Sequence, residues 1–513
     1  MTTLPGKLAA VPNLPDWRSG FFWPIAYADL RARQSQQSDL SLQLIAGLAD
    51  ERLRITAIQA VARASATVRE FGHRAWLAEA AEAQGAVILG AGLDGAAVAA
   101  APAKATSSRY DQRISRPLAR RLARVASWSA TPGRLVQALI APDAVAISHN
   151  GLLRSEAALG SEAIGYRHAE TIAAQALKRG RADAGRVSFL TDALVALLDR
   201  YPVDTGRVAP LRNAACAEIA TTVERADRLL DGLSGMQLPR ALWANSAGNF
   251  SVRACLLEAR RRGIPTAIFD HGGSGSFIDE AALLLLVDRI VAERVVAPTE
   301  AAANLSNRLS YGDEYRSLRP ARIVGGGGDP LFRKAARTAP RTRRARPRVL
   351  YLPTCFNGGL QNLPPLLPDP VYLHQHFAVL ESFRDASVEF AVKPHPESKL
   401  SGLPHPLTGL AELDTRPFPQ ALADADVIIS DYPQSTAFWE ACCSDRAVVV
   451  LDLGIVRFHA AAQQILDRRC RFVDVRWDER NLPCFDAAEL AEVTLIGAAG
   501  DPAEIRNLLA GEE

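Results

Sequence analysis

Short apolar runs alternate with amphipathic stretches along most of the second half of the chain. The runs are rich in β-branched residues and stop at polar residues, glycine or proline, which is typical of buried strands in a parallel sheet. The stretches between them have the length of single helices, so the pattern predicts repeated strand–helix units and an α/β fold. The predicted strands cover residues 241–245, 266–271, 294–297, 321–324, 348–352, 388–393, 427–430 and 447–451.

The first 235 residues are mostly helical in pattern. Residues 40–84 carry Leu42, Ile45 and Leu48 at helical spacing, which predicts helices there. Two runs, 86–89 and 144–150, favour strands instead, and the second ends in polar residues. These additions precede the regular strand–helix series, so we expect extra helices in the N-terminal half.

A chain of 513 residues is longer than one hydrophobic core usually supports, which indicates two domains. Residues 333–348 hold eight Lys or Arg and no acid, as expected of a solvated linker. The alternative is that this basic stretch attracts anionic lipid head groups or an anionic acceptor. We therefore predict a first domain at 1–330, a basic linker at 331–347 and a second domain at 348–513. The glycines at 325–328 are expected to act as a hinge where the chain crosses between domains.

Composition excludes several classes of protein. The net charge of +3 and the 6% aromatic content give no nucleic-acid signature. The seven cysteines form no CxxC pair, so we expect reduced thiols and neither a disulfide framework nor a zinc ribbon. No signal peptide is recognisable, and the longest apolar run, 281–287, is too short to span a bilayer. We therefore expect a cytoplasmic protein, with peripheral contact at the inner face of the membrane as a further possibility.

Polar residues follow two of the predicted strands where each one ends. His395 comes after the strand at 388–393, and Ser430 and Asp431 end the strand at 427–430. We expect these two strands to be neighbours, so that the residues share one crevice at the carboxyl edge of the sheet. Pro394 and Pro396 restrict the backbone around the imidazole. The combination favours a phosphate-bearing ligand.

Four segments at predicted strand ends carry a family resemblance: Asp270-His271-Gly272-Gly273, Leu350-Tyr351-Leu352-Pro353-Thr354, Lys393-Pro394-His395-Pro396 and Ser430-Asp431-Tyr432 with Ser435-Thr436 and Glu440. Together they resemble the bacterial CDP-glycerol glycerophosphotransferases and related capsule- and surface-polysaccharide glycosyltransferases. The resemblance spans about residues 240–455 and is specific as a set. It implies a GT-B-like fold, in which two Rossmann-like domains face a central cleft.

The resemblance implies that His271 is the base that deprotonates an acceptor hydroxyl. An imidazole titrates near neutral pH, which suits that role, although a histidine that caps a strand–helix turn is the structural alternative. Gly272 and Gly273 are expected to let substrate approach the backbone closely.

On the donor side, the resemblance implies that His395 contacts the donor's phosphates, with Lys393 as an electrostatic helper. Ser435 and Thr436 stand at a predicted helix start, so they are interpreted as caps, phosphate contacts or both. Glu440 resembles the glutamate that holds the nucleotide ribose; a solvated helix glutamate is the alternative. Five further residues are expected at the cleft. They are Ser430 at the phosphates, and Gly272, Gly273, Thr354 and Asp431 along the lining.

The chain departs from the family at Pro433-Gln434, where Ser-Ser is usual. The hydroxyls come two places later, which is closer to general polysaccharide glycosyltransferases than to glycerophosphotransferases. CMP- or CDP-linked donors are favoured, and UDP-sugars follow. Asp424-Ala425-Asp426 precedes its strand and lies away from the expected cleft, so no metal site and no cofactor are predicted.

The sequence thus predicts an inverting, metal-independent transferase of bacterial surface-polysaccharide assembly. Its partners would be a nucleotide-activated sugar or polyol phosphate and a glycan or lipid-linked acceptor, without nucleic acid. One alternative is an isomerase resembling UDP-N-acetylglucosamine 2-epimerase, which would need more carboxylates in the first domain's cleft than the sequence places there. The other is a non-catalytic scaffold that binds nucleotide or glycan.

Overall fold

The computed structural model describes residues 21–83, 125–126, 131–200, 205–308, 313–339, 344–356, 367–396, 398 and 404–512. The strand predicted at 86–89 lies outside these residues. Within them the chain builds two six-stranded sheets, each entirely parallel. The predicted α/β fold is therefore confirmed, and the arrangement agrees with two Rossmann-like domains of GT-B-like type.

The first sheet has the strand order β2-β1-β3-β4-β5-β6. Its strands are β1 (Ala144–Ala146), β2 (Ile164–Tyr166), β3 (Leu242–Ala244), β4 (Thr266–Phe269), β5 (Arg294–Ala297) and β6 (Arg322–Gly325). The sequence pattern predicted all of them except β2. That strand has three residues, one of them Gly165, so its apolar run is too short to stand out.

Helices on both sides of this sheet account for most of the first 340 residues. They are α1 (Tyr27–Gly47), α2 (Glu51–Ala83), α3 (Pro132–Ile140), α4 (Gly151–Leu159), α5 (Ala169–Leu177), α6 (Ala184–Val195), α7 (Thr205–Ser234), α8 (Phe250–Arg261), α9 (Ala281–Leu284, continued by a π turn over Leu285–Arg289), α10 (Glu300–Ser306) and α11 (Pro330–Ala336). The two longest, α2 and α7, pack on each other. They supply the extra helical layer that the spacing in the N-terminal half predicted.

The second sheet has the order β12-β11-β10-β7-β8-β9. Its strands are β7 (Arg348–Leu352), β8 (Glu389–Val392), β9 (Glu412–Leu413), β10 (Val427–Ser430), β11 (Ala447–Asp452) and β12 (Arg471–Asp474). A separate antiparallel ribbon is formed by β13 (Arg476–Trp477) and β14 (Pro483–Cys484). Its helices are α12 (Asp369–Ser382), α13 (Phe418–Asp424), α14 (Thr436–Cys443), α15 (Ala460–Arg469), α16 (Ala487–Ile496) and α17 (Ala503–Leu509).

Both faces of the second sheet are buried. Alternate residues of β10 belong to two apolar clusters, Ile428 to one and Val427 with Ile429 to the other. A strand with two buried faces has no polar side to show, which is why these strands read as continuous apolar runs. The predicted parallel sheet with helices on both faces is confirmed.

Both ends of the described chain cross between the domains. The C-terminal helix α17 packs against α10 and α11 as well as α14, and the hydroxyl of Thr299 donates to the Leu508 carbonyl at 2.8 Å. Near the other end, the Tyr27 ring stacks on Trp477 with 4.3 Å between ring centroids. The domains are therefore joined by tertiary contacts as well as by the chain connection at 326–347.

Basic residues of that connection are distributed over several elements. Lys334 belongs to α11, and Arg348 begins β7 and pairs with Glu412. Arg344 lies between them and pairs with Glu389 at 3.1 Å. In the part of the stretch that the structure describes, basic side chains thus contact the second domain. No helix among the described residues is long and apolar enough to cross a membrane.

The glycine run after β6 is closely packed. Gly328 has a φ of +96°, and a Cβ atom on it would lie 2.1 Å from the Ala510 carbonyl oxygen. We expect Gly328→Ala to lower the melting temperature clearly more than Gly263→Ala. Gly263 has a φ of +70° but open space around it, so it reports only the left-handed strain of about 1–2 kcal/mol. Equal shifts in a thermal scan would show that the backbone contact with Ala510 is not tight.

Candidate active site

The carboxyl end of β4 leads into a loop that leaves the first sheet. Asp270 follows the strand, His271 is exposed, and the two glycines after it have φ values of +93° and +81°. Since side chains with a Cβ avoid this region, Gly272 and Gly273 fit the local backbone. The chain then forms a short 3-10 turn over Ser274–Ser276.

This loop packs directly on the second domain. A Cβ atom at Gly272 would lie 2.8 Å from the Thr436 hydroxyl oxygen, and one at Gly273 would lie 2.9 Å from the Phe332 ring. Farther along, the Phe277 ring stacks on Trp439 with 4.1 Å between centroids. Gly272 thus lies close to the second domain and Gly273 close to α11. The close approach of substrate to these glycines stays a prediction.

The opposing surface is the beginning of α14. Ser435 is the N-cap residue, and its hydroxyl oxygen accepts a hydrogen bond from the Phe438 backbone N–H at 3.2 Å. The capping role considered for Ser435 is therefore confirmed. Backbone N–H groups at a helix start attract anions, and Thr436 stands there within reach of the His271-Gly272 backbone. The fold thus brings the loop of His271 to Ser435 and Thr436, two of the residues predicted to contact phosphate.

Three carboxylates of the first domain surround the same loop. Burial, together with the negative charges of Asp288 and Asp329, raises the pKa of Asp270 to about 7. Its Oδ2 atom is buried and accepts no hydrogen bond from any residue that the structure describes. Burial also raises the pKa of Asp288, which accepts from the Ala247 N–H at 2.7 Å, and that of Asp329, which accepts from the Leu331 N–H at 2.8 Å. The sequence analysis did not place these carboxylates in the cleft.

Arg289 and the His271 imidazole accompany this acidic group. Arg289 is buried and its charge favours the ionised forms of Asp270 and Asp288, while the exposed His271 does the same for Asp288 and Asp329. The site therefore combines an exposed imidazole with a carboxyl group that is half protonated near neutral pH. Such a pair can both accept and donate protons.

At the second sheet, the residues that end β7 and β10 hold each other. Asp431 accepts hydrogen bonds from the Thr354 N–H at 2.6 Å, from the Thr354 hydroxyl at 3.0 Å and from the Tyr351 hydroxyl. Thr354 and Asp431, predicted to line the cleft, are both buried, and so is Ser430, whose hydroxyl accepts from the Tyr432 N–H. These side chains tie strand ends together and keep their polar atoms inside.

A histidine of α12 joins this buried group. His376, on α12, is fully buried with its Nε2 3.6 Å from the Asp431 Oδ2. Burial lowers the pKa of His376 to about 3 and raises that of Asp431 to about 6. His376 and Asp431 are 55 positions apart in sequence, so no local pattern could show this contact.

Lys393 and His395 lie beyond the end of β8 and are half-buried. Burial lowers the pKa of Lys393, and the charge of Asp414 opposes that effect. The strands β8 and β10 are not neighbours as predicted, because β7 lies between them and pairs with both. Because both strands run parallel to β7, the chain nevertheless leaves the sheet at the same edge after Val392 and at Ser430, two strand spacings or about 10 Å apart, and His395 follows beyond that edge. The predicted common edge of the sheet is confirmed, whereas the prediction that β8 and β10 are neighbouring strands is wrong.

Glu440 lies one helical turn after Thr436 and faces the first domain. It is 6% exposed, and burial together with the charge of Asp329 raises its pKa to about 8, while Lys334 on α11 opposes the shift. No hydrogen bond in the described part of the chain joins it to Lys393, Ser430 or Thr354. Among the described residues, no group of three or more His, Cys, Asp or Glu side chains is placed to hold a metal ion.

Comparisons with known proteins add one weak likeness. No protein-family model matches this chain, and no curated protein matches it significantly. Among solved structures, the UDP-GlcNAc 2-epimerase of Methanocaldococcus jannaschii in complex with UDP-GlcNAc and UDP is similar with a TM-score of 0.33 and 14% identity, over 52% of this chain and 70% of that chain. The chemistry of the site is therefore inferred from its own residues.

The contact between Gly272 and Thr436 can be tested by a double-mutant cycle. We expect Gly272→Ala to lower the free energy of unfolding, because the new methyl group meets the Thr436 hydroxyl at 2.8 Å. Thr436→Ala removes that oxygen, so the double variant should recover part of the loss, with a coupling energy of about 0.5–3 kcal/mol. Additive effects would mean that the loop and α14 are not in contact in solution.

Asp270 makes stability depend on pH. Its pKa in the folded protein is about 7, above the ordinary value of 3.8, so the folded state holds a proton that the unfolded state has released. The stability of the wild type therefore falls as pH rises from about 4 to 7. Asp270→Asn is neutral throughout, so its melting temperature relative to wild type should rise over that range and then level off. A difference independent of pH would contradict the raised pKa.

Proposed function

We propose that this chain is an enzyme that acts on a nucleotide-activated donor, and that it is an inverting transferase. The observation that carries the proposal is the close approach of the His271-Gly272 loop to Thr436 at the start of α14. A side chain suited to proton transfer and a helix end suited to an anion are thereby held on opposite sides of one cleft.

The reaction follows from those two groups. His271 takes the proton of an acceptor hydroxyl while the hydroxyl oxygen attacks the reacting centre of the donor. The bond from that centre to the nucleotide phosphate breaks, and the leaving phosphate carries away the electron pair. Negative charge thus develops on the phosphate, where N–H groups at the start of α14, the Thr436 hydroxyl, His395 and Lys393 stabilise it. A single displacement inverts the centre.

The donor and setting come from the family resemblance. The combination of Lys393-Pro394-His395-Pro396 with hydroxyls at a helix start supports a CMP- or CDP-linked sugar or polyol phosphate. A glycan or lipid-linked glycan of a bacterial surface polysaccharide is the proposed acceptor, reached in the cytoplasm at the inner face of the membrane. Glu440 is retained as the proposed contact to the nucleotide ribose.

Two substitutions separate the donor and acceptor roles. We expect His395→Ala to weaken CMP or CDP binding roughly 10- to 100-fold, because a hydrogen bond to a charged group contributes about 1.5–3 kcal/mol. His271→Ala should spare that affinity and lower turnover roughly 100- to 10,000-fold. Calorimetry with the nucleotide, followed by an assay of nucleotide release, checks both. Equal losses of affinity would assign His271 to the donor and refute its role as the base.

A second candidate is an isomerase of nucleotide-sugars, and a specific observation favours it. Asp270, Asp288 and Asp329 supply the first-domain carboxylates that such an enzyme would need and that the sequence did not place. Inverting a carbon of the sugar requires breaking and remaking a C–H bond, for which paired proton donors and acceptors are suited.

One assay distinguishes the two candidates. Nucleotide-sugars are incubated with the protein in D₂O without any acceptor. An isomerase incorporates deuterium at the inverted carbon and forms the epimer, whereas the proposed transferase leaves the sugar unlabelled and releases nucleotide only when an acceptor is added. Binding without either reaction would indicate a scaffold.

A further inference from the structure

A groove on the outer side of the domain boundary lies apart from the strand ends of the site described above. It encloses a volume of about 580 Å³ between α11, α13 and α14, within the range of small-molecule pockets. Its wall is apolar at Ala335, Leu422 and Ala423. The polar residues that line it are Arg333, Lys334, Arg337, Thr338 and Glu440.

The cations of the groove differ in how they are engaged. Arg333 is bound to the Ala510 carbonyl at 2.8 Å, so its guanidinium contributes charge while its hydrogen bonds stay within the protein. Arg337 pairs with Glu512 at 3.0 Å but remains 74% exposed. Lys334 is exposed and makes no hydrogen bond in the described part of the chain. Two long cationic side chains can therefore reach a ligand in the groove.

The single acid of the groove does not offset these cations. Glu440 is 6% exposed, and burial beside Asp329 raises the pKa of its carboxyl group to about 8. At neutral pH it is mostly protonated, and a protonated carboxyl group can donate a hydrogen bond. The groove is therefore net positive and offers one neutral donor next to two mobile cations.

We propose that this groove binds a small soluble phosphate monoester, with the phosphate held by Lys334 and Arg337 and the organic part against Ala335, Leu422 and Ala423. A bare phosphate would leave most of the volume empty, whereas an attached ring or sugar fills it and covers the apolar wall. The lysine supplies a point charge and the arginine a planar pair of donors, a combination suited to phosphate oxygens. Lys334 and Arg337 take no part in the reaction proposed above, and Glu440, its proposed ribose contact, is the residue that the groove shares with the cleft.

Phenyl phosphate is the probe, since it carries a phosphate monoester and an apolar ring but no nucleotide. We expect calorimetry on the full chain at pH 7 to detect binding, and the Lys334→Ala/Arg337→Ala variant to lose roughly tenfold or more in affinity. Lys178→Ala is the matched control, because Lys178 is an exposed lysine on a different basic groove lined by Arg225 and Arg228. Absence of binding to wild type, or equal losses in both variants, would overturn the site.

The pH dependence gives a second, independent readout. A phosphate monoester keeps a constant charge well above its second pKa of about 6, so changes between pH 7.5 and 9 come from the protein. Ionisation of Glu440 across its pKa of about 8 adds a negative charge, and wild-type affinity should fall. Glu440→Gln should hold its affinity over the same range. A parallel fall in this variant would remove Glu440 from the groove's binding group.

Two further experiments identify where phenyl phosphate binds and whether the groove prefers a soluble phosphate or a lipid head group. His395→Ala should leave phenyl phosphate binding unchanged, and a loss there with none in Lys334→Ala/Arg337→Ala would place the anion in the cleft. The amount of protein that sediments with phosphatidylcholine vesicles containing phosphatidic acid should not depend on Lys334. Vesicle binding that depends on Lys334, without binding of the soluble probe, would overturn the proposal in favour of a lipid head group.

Discussion

Residues 271–279 leave the first sheet at the end of β4 and lie against the second domain over their whole length. Gly272 meets Thr436, Phe277 stacks on Trp439, and the Asp279 N–H donates to the Arg457 carbonyl at 2.8 Å. The glycines allow the backbone to come this close, since a methyl group at either position would collide with its neighbour. The contact fixes how far His271 stands from α14, and the chemistry proposed for the site depends on that spacing.

Several ionisable groups near the ends of the strands are buried, and this has an energetic cost. Asp270, Asp431 and Glu440 have pKa values of about 7, 6 and 8, because burial disfavours their charged forms. Asp431 recovers part of the cost through bonds from Tyr351 and Thr354, while the Asp270 Oδ2 recovers none. Ionisation is thus disfavoured strongly at the carboxyl group beside His271 and at Glu440. Loss of stability of this kind is common at functional sites, where a buried polar group is available to bind a ligand.

Local pattern was sufficient to predict nine of the fourteen strands in the described chain, since a strand buried on two faces leaves a continuous apolar run. The strands that it missed are β2, β9, β12, β13 and β14, which have two to four residues each. Local pattern also located His271 and Ser435 at strand and helix ends, because those signals lie within a few residues. Local pattern could not predict the order of the strands in the sheet. In the structure β7 separates β8 from β10, and no local signal records which strands become neighbours. For the same reason the sequence could not show that Asp431 turns inward to meet His376, or that Asp288 lies near Asp270.

One face of α14 receives both of the first domain's contacts. Thr436 and Glu440 are four residues apart, so they share a helix face and are separated by about 6 Å along the axis. Thr436 meets the Gly272 loop, and Glu440 faces Asp329 and α11. Any separation of the domains would return water to Glu440 and bring its pKa back towards the ordinary value of 4.5. The packed arrangement therefore takes up a proton at neutral pH, and the protonation of Glu440 is linked to the contact that positions His271.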